Sequence, residues 1–272
     1  KIKNTIYFES MKNKQNRELA ICGLAAVKAL AKEHPESIRR LYFTSEKAKI
    51  FGDLCKLMAQ KKSPYNLVQQ DDLEKLSGTV HHQGVVAMVD FVEPDALTPS
   101  IIATWIENNE SALLLDRIGN ANNFGAIIRS AAFFGIKNII ISTSEVQSAI
   151  TTSTYRVAQG GMEYVKVYAV RSMARLLQDM QGKMVRIGTD VRGKTSVSQL
   201  GSLCENKPAL IVLGNEEHGI SQIVKENCDH LIVIPSAFMC LEKKIKAEDT
   251  PVESLNVAQA ATIILYEVSK LR

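Results

Sequence analysis

The residue best equipped to act on a substrate is Arg129, in the string Asn123-Phe124-Gly125-Ala126-Ile127-Ile128-Arg129-Ser130-Ala131. A guanidinium is a planar fork of donors matched to phosphate, and here it falls about one turn into a helix that follows an apolar strand. The stretch Asp116–Gly125 before it is rich in Asn and Gly, which tolerate strained backbone angles and cap helices at a tight strand-to-helix turn. A second string, Gly214-Asn215-Glu216-Glu217-His218-Gly219-Ile220, follows the apolar run Ala209–Leu213. Glycines at the C-terminal edge of a parallel strand let a ligand approach the backbone, and that edge is where open α/β sheets bind ligands. His218 reads as a solvated neighbour of this turn. The third string pairs Ile232-Val233-Ile234-Pro235 with Ser254-Leu255-Asn256-Val257, which opens an Ala-rich helix that Ser254 is placed to cap. No G-x-G-x-x-G or P-loop string is present to supply a different nucleotide site.

The elements that must carry these strings alternate between strand and helix. Residues 18–33 repeat apolar positions at helical spacing and stop at His34-Pro35, which predicts one continuous helix. A strand is expected over Arg40–Thr44, a helix over 47–61, a short strand at Asn66–Val68, a small helix near Asp71–Leu76 and a strand over Gly84–Val89. After the Pro-containing stretch Glu93–Ser100, strands are expected at Ala112–Leu115, Asn138–Ile141, Lys166–Tyr168, Met184–Thr189, Ala209–Leu213 and His230–Ile234, with helices between them and a last helix from Leu255. These strands are nearly continuous apolar runs, as a parallel sheet covered on both faces requires. The class is therefore α/β: a compact N-terminal module followed by a parallel-sheet domain.

With 272 residues, 46% of them apolar, the chain has ample material for a core and contains no run long enough to cross a bilayer. A soluble protein without a membrane partner is expected. Lys1-Ile2-Lys3-Asn4 reads neither as a signal peptide nor as a natural start, so a longer natural chain is expected. Cys22, Cys55, Cys204, Cys228 and Cys240 are scattered and form no C-x-x-C pair, which argues against a disulfide framework and a metal site and for the reducing cytoplasm. The net charge of +4 is unevenly spread. Residues 1–92 hold 15 Lys+Arg against 10 Asp+Glu, and the remainder 18 against 19, so a phosphate-rich partner gains most at the N-terminal end.

Taken in order, the three strings resemble the signature motifs of the SpoU (TrmH-like) branch of the SPOUT RNA methyltransferases. The stretches Ile21–Val27 and His82–Ala87 are similar to the L30e-like module that accompanies that domain, so the resemblance covers nearly the whole chain. It implies an L30e-like RNA substrate-binding domain over 1–92, a linker over 93–100 and a SPOUT methyltransferase domain over 101–272 that closes in a trefoil knot. It also implies S-adenosylmethionine as cofactor, ribosomal or transfer RNA as partner, a homodimer with active sites near the subunit contact, and methylation of a ribose 2′-hydroxyl. On the motif positions, Asn123, Arg129, Glu216, Ser254 and Asn256 would form the catalytic group. Leu213, Gly214, Asn215, Gly219, Ile234, Pro235, Leu255 and Asn256 would hold the cofactor. Within the three strings the chain departs from the family pattern twice: Glu217 stands where the family has a glycine, and 18 residues, Ser236–Glu253, separate Pro235 from Ser254 where the family has a short loop; outside them, Ala158–Val165 sits at the family's small-residue turn but lacks its common serine. The two departures within the strings leave an alternative, an RNA-binding protein of the same fold in which methyl transfer is lost or weakened.

Overall fold

The computed structural model describes residues 17–143, 147–237, 252 and 254–271. By packing, the chain divides into two units: residues up to Glu93 together with Ile150–Tyr164, and Pro94–Ala149 together with the residues from Val165 onward.

The first unit is built on four strands, β1 (Glu18–Cys22), β2 (Ile38–Phe43), β3 (Tyr65–Leu67) and β4 (Val85–Asp90), in the order β1-β4-β2-β3. Strand β4 is antiparallel to β1 and β2, and β2 is parallel to β3. Successive residues of a strand point to opposite faces, so Val85, Ala87 and Val89 meet Ile21, Leu41 and helix Leu24–Glu33 on one side. Val86 and Met88 meet Cys22, Tyr42 and the Leu73 and Leu76 side chains of helix Gln70–Ser77 on the other. The helix expected from Glu18 therefore begins only at Leu24. Glu18–Cys22 satisfies the apolar spacing of a helix, but ladder pairing with β4 and the partly buried Arg40–Glu18 ion pair favour the strand, and Gly23 at φ 97° turns the chain between the two. The helix expected over 47–61 is likewise confined to Gly52–Gln60, after a 3-10 turn at Ser45–Lys47.

Helix Thr152–Ala158 and the turn Gly161–Tyr164 complete this unit. Gly160 (φ 92°) sits so close to helix Leu24–Glu33 that a side-chain carbon there would lie 2.7 Å from Ala29 Cβ. Beside it Glu163 is 6% exposed and 3.8 Å from His34, and burial pushes its carboxyl up to about 7 against the partly offsetting pull of His34. A group whose folded pKa is raised binds its proton more tightly in the native state. Stability should therefore be highest below about pH 4.5 on this account and fall as pH rises through about 7, by on the order of 3 kcal/mol. Urea melts of the chain and of Glu163→Gln across this window test it: the variant should lose that slope, and identical slopes would show that Glu163 does not titrate there.

The second unit is an eight-stranded sheet: β5 (Asp95–Ala96), β6 (Ala112–Leu115), β7 (Asn138–Ser142), β8 (Lys166–Val170), β9 (Val185–Thr189), β10 (Thr195–Ser196), β11 (Ala209–Leu213) and β12 (His230–Val233). The order is β10-β12-β9-β11-β6-β7-β8-β5 and every pairing is parallel. All of β6 and β11 is buried, the consequence of helices on both faces. Ala112, Leu114, Leu210 and Val212 pack with Trp105, Leu176 and Leu177, whereas on the opposite face helices Ala121–Phe133 and Val257–Ser269 pack on each other. The segment expected as a linker, 93–100, is not free coil. Its Asp95–Ala96 adds to the sheet edge beside β8 and Leu97 N–H donates to Ala169 O at 3.1 Å, because the edge strand leaves backbone groups to be paired.

The strand order fixes where a ligand can bind. From β6 the chain proceeds outward to β7 and β8, then returns to β9 on the other side, with β11 next to β6. Strands β6 and β11 thus flank a topological switch point, and the crevice beyond their C-terminal ends is the natural site. The expected knot and the insert Ser236–Glu253 involve residues 238–251 and 253, and the fifth cysteine is Cys240; these lie outside the described residues.

Candidate active site

The first and second strings leave β6 and β11 side by side, and the third opens helix Val257–Ser269, which packs against helix Ala121–Phe133. Asn120 is the N-cap of that latter helix, its side-chain oxygen accepting from Asn122 N–H at 2.8 Å. The cap fixes the first turn and places Asn123 toward the second string. Asn123 Nδ2 donates to Glu216 Oε1 at 2.8 Å, and Asn256 Nδ2 donates to Asn123 Oδ1 at 3.1 Å. Asn256 Oδ1 in turn accepts from Ala258 N–H at 2.9 Å, so Asn256, not Ser254, caps the last helix. A continuous polar run therefore links all three strings, and because each amide uses both ends, its orientation is determined.

The second string is a closed turn. Asn215 and Gly219 exchange backbone hydrogen bonds at 3.0 and 2.9 Å, and Asn215 Oδ1 accepts from Glu217 and His218 N–H. Leu213 and Gly214 are buried, and Gly214 has no room for a side chain: a Cβ there would lie 2.2 Å from Gly219 C and Ile220 N. Gly219 turns the chain at φ 64°. Glu217, in contrast, is absent from the positive-φ residues and its side chain is 85% exposed, so the backbone does not demand the glycine that the pattern has there. Glu217→Gly should accordingly change ligand affinity at this edge by less than about threefold, while costing up to about 1 kcal/mol of stability through the looser unfolded chain. Thermal melts and calorimetric titrations of the two proteins check both numbers.

Of the other candidate residues, Ile234 is half-buried just after β12, Pro235 is exposed, and Leu255 is 45% exposed. Ser254 is exposed and makes no hydrogen bond to the described residues, so its expected capping role falls to Asn256. Arg129 is exposed on helix Ala121–Phe133, and none of its donors is taken by a described residue. His218 is 71% exposed, consistent with a solvated neighbour. Two residues that spacing alone passed over prove central to the geometry: Asp116, 3% exposed, and Arg117, at φ 60°, lie between β6 and the Asn120 cap. Their only sequence signal was a charged pair at a strand end. No group of three or more His, Cys, Asp or Glu among the described residues is placed to hold a metal ion.

Residues 110–266 match the SpoU rRNA Methylase family. The chain belongs to this family. Residues 20–95 match a second family, described as RNA 2'-O ribose methyltransferase substrate binding. A protein of Haemophilus influenzae named as an uncharacterized tRNA/rRNA methyltransferase is 35% identical over 58% of this chain, which spans 44% of the relative's length. The 23S rRNA (guanosine-2'-O-)-methyltransferase RlmB of Nitrosomonas europaea is 28% identical over 91% of this chain and 89% of its own. The crystal structure of the SpoU methyltransferase AviRb from Streptomyces viridochromogenes with AdoMet superposes with a TM-score of 0.69 at 22% identity, covering 95% of this chain and 92% of that one. The fold is thus that of the SpoU methyltransferases. No helix among the described residues is long and apolar enough to cross a membrane.

Proposed function

We propose that this protein uses S-adenosylmethionine to methylate the 2′-hydroxyl of a ribose in ribosomal or transfer RNA. The observation that carries this reading is the hydrogen-bonded run Glu216–Asn123–Asn256, which ties the three family strings together beyond the ends of β6 and β11. The groups present fit the cofactor. Ile234, Pro235 and the exposed Leu255 offer apolar surface to a purine, and Asn256, Asn123 and Glu216 offer donors and acceptors to a charged tail. When bound, the cofactor supplies the electrophilic methyl group.

The ribose hydroxyl must lose its proton while attacking in line, so the protein's work is alignment and proton removal. A guanidinium has no lone pair to spare and does not accept that proton. Arg129, with its donors free of described partners, instead grips the phosphate next to the reactive ribose, orients the hydroxyl and lets the phosphate relay the proton. Asn123 and Asn256 hold the ribose and the cofactor tail between them, and Glu216 holds Asn123 in place.

The RNA is bound mainly by the N-terminal unit, a reading supported by its family match and by the charge excess of 15 basic over 10 acidic residues in 1–92. The active form is a cytoplasmic homodimer whose contact includes Phe133 (83% exposed), Tyr266 (52%) and Ile263 (36%) on the two packed helices. The free thiols of Cys22, Cys55, Cys204 and Cys228 suit a reducing compartment. The closing steps of the sheet follow the family's knotted path. Mapping 2′-O-methyl positions in total RNA from cells with and without the protein tests the activity. A position that loses its methyl group supports it; identical maps, together with no calorimetric binding of S-adenosylmethionine, would favour the RNA-binding alternative. Sedimentation of the chain and of Phe133→Asp tests the dimer, which the charge should split.

A further inference from the structure

Arg117 occupies the left-handed region at φ 60°, a conformation that glycine takes without steric conflict, so an arginine held there calls for a use of its side chain. That side chain reaches two places at once. Its Nε donates to Asp116 Oδ1 at 3.0 Å and its Nη2 to Gly219 O at 3.3 Å, while its own carbonyl accepts from Asn215 Nδ2 at 2.9 Å. Asp116 works from the same position: its N–H donates to Leu213 O at 2.8 Å and its Oδ2 accepts from Ser221 N–H at 2.7 Å. Two adjacent residues thus grip both the entry of the Gly214–Gly219 turn, at Leu213 and Asn215, and its exit, at Gly219 and Ser221. Glu216 lies between these anchors, and its contact with Asn123 depends on where the turn is held.

We infer that Asp116 and Arg117 are positioning residues that fix the Gly214–Gly219 turn in the conformation from which Glu216 meets Asn123, and so set cofactor affinity before RNA is bound. The hold on the turn is independent of function, and the effect on affinity rests on the methyltransferase reading. A glycine at 117 separates the backbone from the side chain, because it keeps the left-handed angle and removes the fork. In Arg117→Gly, hydrogen exchange at the Asn215, Glu217, His218 and Gly219 amides of the ligand-free protein should quicken about tenfold or more beyond any change at amides of the sheet interior, where leaving the buried Asp116 without its ion-pair partner shows as a lowered melting temperature. Its dissociation constant for S-adenosylmethionine, by calorimetry, should rise about tenfold or more. Arg117→Lys keeps a charge beside Asp116 but not the two-ended reach, and should fall between the two proteins in both measurements.

Exchange and affinity both within about twofold of the parent in Arg117→Gly would overturn the inference. Faster exchange in a protein whose parent binds no S-adenosylmethionine would sustain the positioning role and sink the methyltransferase reading instead. Should Arg117→Gly fail to fold, Arg117→Lys carries the same two measurements and the same limit.

Discussion

Arg129→Ala is expected to abolish methyl transfer, by about a hundredfold or more in single-turnover rate, while leaving the dissociation constant for S-adenosylmethionine within about twofold. The separation follows from where Arg129 stands. It is exposed on helix Ala121–Phe133, its donors are untouched by described residues, and the polar run through Glu216, Asn123 and Asn256 does not include it. Removing it therefore disturbs no contact among the described residues that shapes the edge, and on the proposed mechanism what is lost is the fork that would align the RNA. Arg129→Lys keeps the charge and should still fail by more than about tenfold, since an ammonium cannot reproduce two parallel hydrogen bonds to phosphate. Single-turnover assays and calorimetry on the same preparations decide the matter. Joint loss of transfer and cofactor affinity would assign Arg129 a structural role, and full activity in the lysine variant would remove the bidentate argument.

The second large effect is expected at Gly214. An alanine there would put its Cβ 2.2 Å from Gly219 C and Ile220 N, and these are backbone atoms of a turn already closed by the Asn215–Gly219 hydrogen bonds. Nothing at that contact is the free end of a side chain, so the turn itself must open. Overpacking of this kind costs about 3 kcal/mol, equivalent to a fall of roughly 5–10 °C in Tm. Cofactor binding should drop below detection because Glu216 leaves Asn123. Differential scanning calorimetry with and without S-adenosylmethionine is the check; a variant that melts within about 2 °C of the parent and is still stabilised by cofactor would show that the turn has slack.

Much of this geometry was legible in the residues. The runs Ala112–Leu115 and Ala209–Leu213 are apolar throughout, which only a strand covered on both faces tolerates, and the glycines and asparagines after them mark where the backbone must turn. What spacing could not reveal are contacts made across the fold. The Asn123–Glu216 hydrogen bond joins residues 93 apart, and Asn256–Asn123 joins residues 133 apart, distances over which a one-dimensional pattern is silent. Glu18–Cys22 misled for a related reason. Its apolar positions suit either period, and the strand prevails through pairing with Val86–Asp90, more than sixty positions downstream. Ser254 lost the cap to Asn256 by two positions, a margin set by how helix Val257–Ser269 is seated against its neighbour. The left-handed angle at Arg117 was invisible because no residue type there announces it.

The packing of Ile150–Tyr164 with the N-terminal unit bears on how such proteins can be inherited and cut. This segment is encoded between β7 and β8, inside the stretch that supplies the parallel sheet, yet its Tyr155 joins the hydrophobic cluster of Val27, Leu41 and Val85, and Gly160 fits closely over Ala25 and Ala29. Recombination that exchanges only the first 93 residues for those of a relative would leave an inherited wedge facing a foreign surface. The heritable module is therefore discontinuous, and a chimera should fold well only when residues 1–93 and 150–164 come from the same parent.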